Sequence, residues 1–197
     1  MCAKVLTARG GPAEALKKLQ TAMESKCDRP EPIPKPSNDL NALKRDGDSF
    51  TFNSFTTDDA FQLGTLLHAR LLPYAREGRP TLISIALANS SQVLYQSVTG
   101  PGTAPDNECW ARRKRNTVIR FGVSSWFMHN KFKGNQADFL DKYSIPDAIR
   151  GDYAIHGGGV PIKVKGVEGI VAVVVVSGLK QDEDHGVIVD VIKRNWE

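Results

Sequence analysis

Residues 156–162, HGGGVPI, join a histidine to three consecutive glycines. Glycine loses more backbone freedom on folding than any other residue, so this run predicts a close approach by some other group. A His-Gly-Gly-Gly loop is typical of the oxyanion hole of lipases and esterases, which also need a later serine in a G-x-S-x-G turn. The sequence lacks that turn, because Ser177 follows Val176 without the first glycine. The approaching group is therefore a ligand, a neighbouring subunit, or simply the packing of a glycine-rich bend.

The four histidines are His68, His129, His156 and His185. No two of them have the i, i+4 spacing of a zinc-binding helix, so the sequence predicts no metal site. His68 and His129 fall in expected helices, where a packed or surface histidine is the simpler interpretation. His156 and His185 each adjoin an unusual segment and are candidates for contact with a ligand, with a structural role as the alternative.

A run of basic residues, ARRKRNTVIR, occupies residues 111–120. On a helix these charges cannot all face one side, so the run does not imply a flat nucleic-acid surface. It is either a solvated face or an anion site near the start of the helix. Lys114 interrupts an otherwise apolar helical face and needs an acceptor if it turns toward packed structure. Asp184, in the acidic stretch at residues 180–186, can supply one, although that stretch also suits the first turn of a helix.

The composition is that of an ordinary globular protein, with 41% hydrophobic and 24% charged residues in a chain of 197. A net charge of +4 is only mildly basic, so we expect no nucleic-acid partner. The three cysteines, Cys2, Cys27 and Cys109, do not suggest a disulfide framework. The longest apolar stretch, residues 169–176, is too short to span a bilayer, and residues 1–11 lack the apolar region of a signal peptide. We expect a cytoplasmic protein with no membrane partner.

The first 48 residues are expected to lie outside the compact domain. Residues 13–26 have the apolar spacing of one amphipathic helix. Residues 28–49 contain four prolines that alternate with other residues, which favours extended backbone. This stretch is predicted to be a mobile linker or an arm on a neighbouring subunit. A boundary near Gly47 divides the chain into residues 1–48 and 49–197.

The compact domain is expected to be α+β. Thr56 and Asp59 have capping-box spacing at the start of a helix, and Asp106 is a candidate cap for a later one. Strands are expected at residues 49–53, 81–88, 92–98, 153–156, 160–164 and 167–176. Helices are expected at residues 58–72, 106–131, 136–144 and 182–196. Hairpin-like strand pairs favour an antiparallel sheet of about five strands with helices packed on it.

Four segments together resemble the haem-degrading-domain (HbpS/GlcG-like) family. They are FTTDDAFQLG, DNECWARRKRNTVIRFGVSSWFM, YAIHGGGVPI and VSGLKQDEDH, and the resemblance covers about residues 50–194. It is strongest to a branch of small uncharacterised eukaryotic and bacterial proteins. It implies a profilin-like, three-layer α/β/α architecture, symmetric homo-oligomers, and haem or corrinoid-type ligands in some relatives. Haem is thus the candidate cofactor, although no haem ligand can be matched residue by residue. The positions shared with this branch are Asp106, Asn107, Trp110, Arg113, Lys114, Arg120, Phe121, Ser124, Ser125, His156, Gly157, Gly158, Ser177, Gly178, Asp184 and His185.

The resemblance and the residue patterns converge on one candidate ligand-binding site. Its residues are Arg113, Lys114, His156, Gly157, Gly158, Asp184 and His185. One hypothesis is a ligand-binding protein or enzyme that holds a tetrapyrrole or another small anion beside His156. The alternative is a non-enzymatic oligomeric interaction protein that recruits partners such as chaperone machinery. No catalytic residue is identified.

Overall fold

The computed structural model describes residues 4–25, 29–46 and 48–197. The strands are β1 Val5–Leu6, β2 Phe50–Phe52, β3 Leu82–Leu87, β4 Val93–Val98, β5 Gly159–Val164 and β6 Ala172–Ser177. The helices are α1 Pro12–Glu24, α2 Leu40–Asp46, α3 Thr57–Arg76, α4 Pro105–Phe121, α5 Ser125–Lys131, α6 Gln136–Lys142 and α7 Gln181–Asn195, with a 3-10 helix at Asp147–Asp152. Cys2, Cys27 and the predicted boundary at Gly47 lie outside the described residues.

The strands form one six-stranded sheet in the order β1-β2-β5-β6-β3-β4. The predicted α+β class is therefore confirmed, with one strand more than expected. The antiparallel pairing holds for β5, β6, β3 and β4, whereas β1–β2 and β2–β5 are parallel. The expectation of an antiparallel sheet was wrong at this edge. The two-residue strand β1 gives too short a pattern to recognise, and the direction in which β2 pairs with the distant β5 has no local signal.

Helices cover both faces of the sheet, as the burial of β6 shows. Every residue of β6 is buried, so its side chains alternate between two covered faces. Val174 and Val176 join the cluster formed with α3 and α7, while Val173 and Val175 join the cluster formed with α4. The site described below lies on the α4 side, at the ends of β5 and β6.

Three helix starts and one helix end decide the local geometry. The capping box at Thr56 and Asp59 is present, and it begins α3 as predicted. The helix predicted at residues 106–131 is interrupted, because Gly122 adopts a left-handed conformation with φ of 67° and Ser124 caps the new helix α5. Asp106 was wrongly expected as the cap of α4. The backbone N–H of Ala104 donates instead to the side chain of Asn107, at 2.8 Å.

Two predicted strands differ in the structure. Residues 153–156 lie outside the sheet, where the backbone N–H of Ala154 donates to Thr117 Oγ1 at 3.1 Å. The segment is thus tied to α4 by a side chain rather than by a neighbouring strand. The strand predicted at residues 167–176 starts only at Ala172, since Gly166 and Gly169 take positive φ values in the turn that precedes it.

The proline-rich stretch lies against its own chain. The Tyr74 hydroxyl donates to the Glu31 carbonyl at 2.7 Å, and Arg194 pairs with the Glu31 carboxylate at 2.6 Å. Helix α1 packs on α3. The N-terminal segment therefore adds a strand and a helix to the domain, while the division at residues 48 and 49 stays a sequence-based proposal.

Candidate functional site

The centre of the candidate site is a buried ion pair between α4 and the first turn of α7. Lys114 is 3% exposed and Asp184 is 2% exposed. The Lys114 Nζ atom lies 2.9 Å from Asp184 Oδ2 and 3.0 Å from the carbonyl oxygen of Val176. The sequence-based expectation that Lys114 turns inward toward Asp184 therefore agrees with this geometry.

The buried carboxylate of Asp184 stays ionised only with the help of the groups that donate hydrogen bonds to it. Burial raises the pKa of Asp184, while Lys114 and the backbone amides of Leu179 and Gly178 oppose that rise. The Leu179 amide donates to Asp184 Oδ1 at 3.0 Å. A buried charge is tolerated when it is paired and hydrogen-bonded, so Lys114 is required for an ionised Asp184 at this position.

Gly158 is the point at which the glycine run meets this ion pair. Its φ is +109°, a conformation that L side chains rarely adopt. A Cβ atom there would contact the Val176 carbonyl oxygen and lie 2.8 Å from both Lys114 Nζ and Asp184 Cβ. The groups that approach the glycine are thus the chain's own strand and helices.

The two flanking glycines are also enclosed. A Cβ atom on Gly157 would contact the Gln181 carbonyl oxygen and lie 2.8 Å from the Trp126 ring. A Cβ atom on Gly159 would lie 3.0 Å from Val118 Cγ2 and 3.2 Å from Ser125 Oγ. The run therefore serves the packing of α4, α5 and α7 around one turn, and this packing sets the position of His156.

His156 lies beside Trp110 in an edge-to-face contact, with ring centroids 4.8 Å apart. On the same indole, the Arg113 guanidinium carbon lies 4.4 Å from the ring centroid, within cation–π distance. His156 Nδ1 is buried and has no hydrogen-bond partner in the part of the chain that the structure describes. The imidazole thus carries an unused polar atom.

The charges that act on His156 are cationic. Burial lowers the pKa of His156, and the positive charges of Lys114, His129 and Arg113 lower it further. The lowered pKa favours the neutral imidazole, which lies beside Arg113 and the Lys114–Asp184 pair.

A cleft of about 240 Å³ opens between the start of α4 and the start of α7. It is lined by Asn107, Trp110, Lys114, His156, Ser177, Gly178, Leu179, Gln181 and Asp184. Three of the predicted site residues, Lys114, His156 and Asp184, are among them. The structure thus brings these three together around one open space.

The other four predicted site residues lie behind the cleft. Gly157 and Gly158 support it from the backbone, and Arg113 lies against the face of Trp110. His185 is fully buried, with its ring centroid 6.1 Å from that of Trp126. Contact between His185 and a ligand stays a prediction that the geometry does not favour.

Six lining residues were not among the predicted site residues, namely Asn107, Trp110, Ser177, Gly178, Leu179 and Gln181. Asn107 and Trp110 lie seven and four residues before Lys114, so the three form an i, i+3, i+7 pattern on α4, and their common face was a usable signal. Ser177 accepts a hydrogen bond from Asn107 Nδ2 at 3.4 Å. Gln181 Oε1 accepts from the Gly157 amide at 3.3 Å, and nothing in the sequence singled it out.

The described residues contain no group of three or more His, Cys, Asp or Glu side chains placed to hold a metal ion. None of the described helices has the length and apolar character needed to cross a membrane. The site is therefore built from one ion pair, one neutral histidine and one indole.

The model of the family described as haem degrading protein HbpS-like matches residues 55–193 of this chain. The chain belongs to the HbpS-like family. The match begins just before α3 and ends near the end of α7, so it includes every lining residue of the cleft. The resemblance read from the sequence is thus confirmed, and α1 and the proline-rich stretch lie outside the matched range.

Relatives of this HbpS-like chain include UPF0303 proteins from bacteria. The one from Streptomyces coelicolor is 40% identical over 144 residues, which is 73% of this chain and 84% of the relative. The one from Rhizobium meliloti is 38% identical over 155 residues, which is 79% of this chain and 88% of the relative. The family is therefore established over most of the compact domain.

Two solved structures resemble the fold. The crystal structure of Ybr137w protein matches with a TM-score of 0.64 and 37% identity, covering 72% of this chain and 78% of that one. The crystal structure of HbpS matches with a TM-score of 0.53 and 21% identity, covering 71% of this chain and 89% of that one. The second likeness supports the fold alone.

Proposed function

We propose that this protein binds a small anionic ligand, such as a carboxylate, in the cleft beside His156. The observation that carries the proposal is the position of His156 on the wall of the cleft, beside Trp110 and the Arg113 guanidinium that lies on the same indole. A neutral imidazole can donate one hydrogen bond to an anion in this partly enclosed space, and Arg113 adds a positive charge close to it.

The shape of the cleft favours a small ligand over a tetrapyrrole. Its volume of about 240 Å³ lies below the roughly 300–1,000 Å³ of sites that enclose drug-sized molecules. The family description names haem degradation, and a neutral histidine is a suitable iron ligand. The space beside His156 does not fit an enclosed haem, so we assign no haem-dependent step to this chain.

Self-association is part of the same proposal. Strand β4 lies at one edge of the sheet, where Val93 and Val98 are exposed. An exposed apolar edge strand is a template for pairing with another chain, and a second copy is the partner we propose. Light scattering should give a mass above the 21.6 kDa of one chain, and a mass equal to it would contradict this part. The cytoplasmic location likewise remains a proposal.

The binding proposal is tested by calorimetric titration of the purified protein with benzoate and with oxalate. His156→Ala should weaken binding roughly tenfold, the loss expected for one hydrogen bond to a charged group. His68→Ala is the matched control, because His68 lies on α3 outside the cleft and should leave the affinity unchanged.

Two results would contradict the binding proposal. Tight haemin binding with a Soret band that His156→Ala abolishes would favour the tetrapyrrole. No binding of either carboxylate, with no ligand retained in a native mass spectrum, would favour the oligomeric interaction protein instead.

A further inference from the structure

A second cavity, of about 150 Å³, lies on the opposite side of the sheet from the His156 cleft. It is enclosed by the start of α1, the middle of α3 and the end of α7, and we call it the α1 cavity. Its lining includes Arg9, Gly11, Lys18, Gln62 and Arg194. Helix α1 lies outside the residues matched by the family model, so this cavity is not part of the shared domain.

The start of α1 leaves its peptide donors unused. Gly11 is the N-cap and has no side chain to accept a hydrogen bond, while Pro12 has no N–H. The N–H groups of Gly11 and Ala13 donate to no described residue. The first turn of a helix carries partial positive charge as well as free donors, so it favours a negatively charged group.

Gln62 provides independent evidence for a ligand. It is 4% exposed, lines the cavity, and makes no hydrogen bond with any described residue. The side chain is almost wholly enclosed by protein, while its amide group is open to the cavity and available to a group that enters it. A ligand in the cavity would satisfy this amide.

Three cations line the cavity, and Glu14 is the single carboxylate among the lining residues. Each cation is paired with a carboxylate: Arg9 with Glu197, Lys18 with Glu14, and Arg194 with Glu31 and Asp190. Glu14 bends back over Gly10 and lies 3.3 Å from Lys18 Nζ. The Glu14 carboxylate therefore occupies the position at the helix start that an external anion would prefer.

We infer that the α1 cavity binds a small oxyanion, with the phosphate group as the chemistry that fits. The free amides of the first turn and Lys18 bind its oxygens, and the Gln62 amide donates to it from the buried side. Glu14 competes with the ligand and is displaced from Lys18 when it binds. This inference does not depend on the function proposed for the His156 cleft.

The experiment is a calorimetric titration of the full chain with inorganic phosphate at constant ionic strength. Gln62→Leu should weaken phosphate binding roughly tenfold, since it removes one hydrogen bond to a charged group at nearly constant volume. Lys18→Met should weaken it by a similar factor. Lys17→Met is the matched control, because its side chain is on the same helix but does not line the cavity, and its affinity should equal that of the wild type.

Two further variants separate this site from the His156 cleft. Glu14→Gln should tighten phosphate binding several-fold, because it removes the competing carboxylate. His156→Ala should leave phosphate binding unchanged. Glycerol 3-phosphate in a parallel titration distinguishes a free ion from the terminal group of a larger molecule, and tighter binding of either one supports the site.

The inference is overturned if phosphate does not bind the wild-type protein, or if Gln62→Leu and Lys17→Met bind it equally. It is also overturned if His156→Ala alone abolishes binding, a result that would place the anion in the other cleft. A melting curve for each variant confirms that it is folded, and Lys18→Met, an exposed substitution, keeps the test valid if Gln62→Leu does not fold.

Discussion

The two helical layers of this protein bury different kinds of residue. On the α3 and α7 side, the cluster is dominated by aliphatic and aromatic side chains such as Leu67 and Ile192. On the α4 side the apolar cluster is smaller, and α4 carries Lys114 and Arg115, the two buried cations among the described residues. The α3 side stabilises the fold mainly by burying apolar surface, although α7 also buries Asp184, His185 and Asp190, whereas α4 loses part of that stabilisation to the two cations.

Arg115 strengthens this contrast. Its guanidinium donates to Ser84 Oγ at 2.7 Å, its Nε has no partner among the described residues, and burial lowers its pKa. Buried charged groups with unpartnered polar atoms are found mostly at functional sites of proteins. The buried charge is therefore concentrated on α4 and on the first turn of α7, which supplies Asp184 to the same ion pair.

Among the variants that test the contrast between the two layers, Gly158→Val is expected to cause the largest loss of stability. The substitution forces a β-branched residue into a positive φ and places its Cβ against a backbone carbonyl that cannot move. We expect a loss of about 4 kcal/mol in the free energy of unfolding, from strain and overpacking together. Urea denaturation measures it. Gly151→Val is the control, since nothing lies within 4 Å of a Cβ there, and equal losses in the two variants would contradict the prediction.

The next largest effect is expected from breaking the buried ion pair. Lys114→Met leaves Asp184 buried without its cation and should cost about 3 kcal/mol. The double variant Lys114→Met with Asp184→Asn should recover at least half of that loss, because no uncompensated charge remains. Arg112→Met is the control: Arg112 forms an exposed pair with Asp152 at 3.5 Å, and its loss should cost less than about 0.5 kcal/mol. A double variant as unstable as Lys114→Met alone would show that packing, not charge, holds this position.

Substitutions of two neighbouring residues on β6, Val174 and Val175, allow the two layers to be compared directly. Val174 faces the large apolar cluster and Val175 faces the α4 cluster, and both are fully buried. Val174→Ala should cost about 2 kcal/mol, and Val175→Ala about 1 kcal/mol, because the smaller cluster relaxes more easily into the space. Benzoate affinity should change only in Val175→Ala. The reverse order of stability, measured by urea denaturation, would contradict the assignment of stability to the α3 side.

Much of this architecture follows from local signals in the sequence. The capping box at Thr56 and the β-branched run before Ser177 gave α3 and β6 to within a few residues. The break between α4 and α5 also had a signal, a glycine followed by a serine cap at Ser124, but the apolar spacing across it concealed the interruption. The parallel pairing of β1 and β2 had no local signal, because partners distant in sequence are chosen by the tertiary structure.

The residues of the candidate site that could be predicted are those whose type is unusual at their position in the sequence. Lys114 was identified because a charge interrupted an apolar face, and Asp184 because such a charge needs an acceptor. Arg115 was interpreted only as part of a basic run that is either a solvated face or an anion site, and the structure buries it while Arg112 stays exposed. Gln181 was missed because a glutamine at the start of a helix is ordinary, and only the fold places it beside Gly157.

The smallest expected effect is on the pH dependence of stability. Burial lowers the pKa of His156 on the α4 side, and burial also lowers that of His68 on α3. A histidine whose pKa is lower in the folded state binds fewer protons there than in the unfolded chain. The free energy of unfolding is therefore unaffected by these histidines above pH 6.5, their ordinary pKa. It falls as the pH drops below that value toward the pKa of the folded state.

The comparison between the two layers is sharpened by removing one histidine at a time. Cations surround His156 and oppose its protonation, whereas the pKa of His68 is lowered by burial alone. His156→Asn should therefore flatten the loss of stability between pH 7.5 and 5.5 more than His68→Asn does. The difference between each variant and the wild type cancels the opposite contribution of Asp48 and Asp184, whose pKa values burial raises. Urea denaturation at each pH measures the slopes, and equal slopes for both variants would mean that the field around His156 does not distinguish the α4 layer.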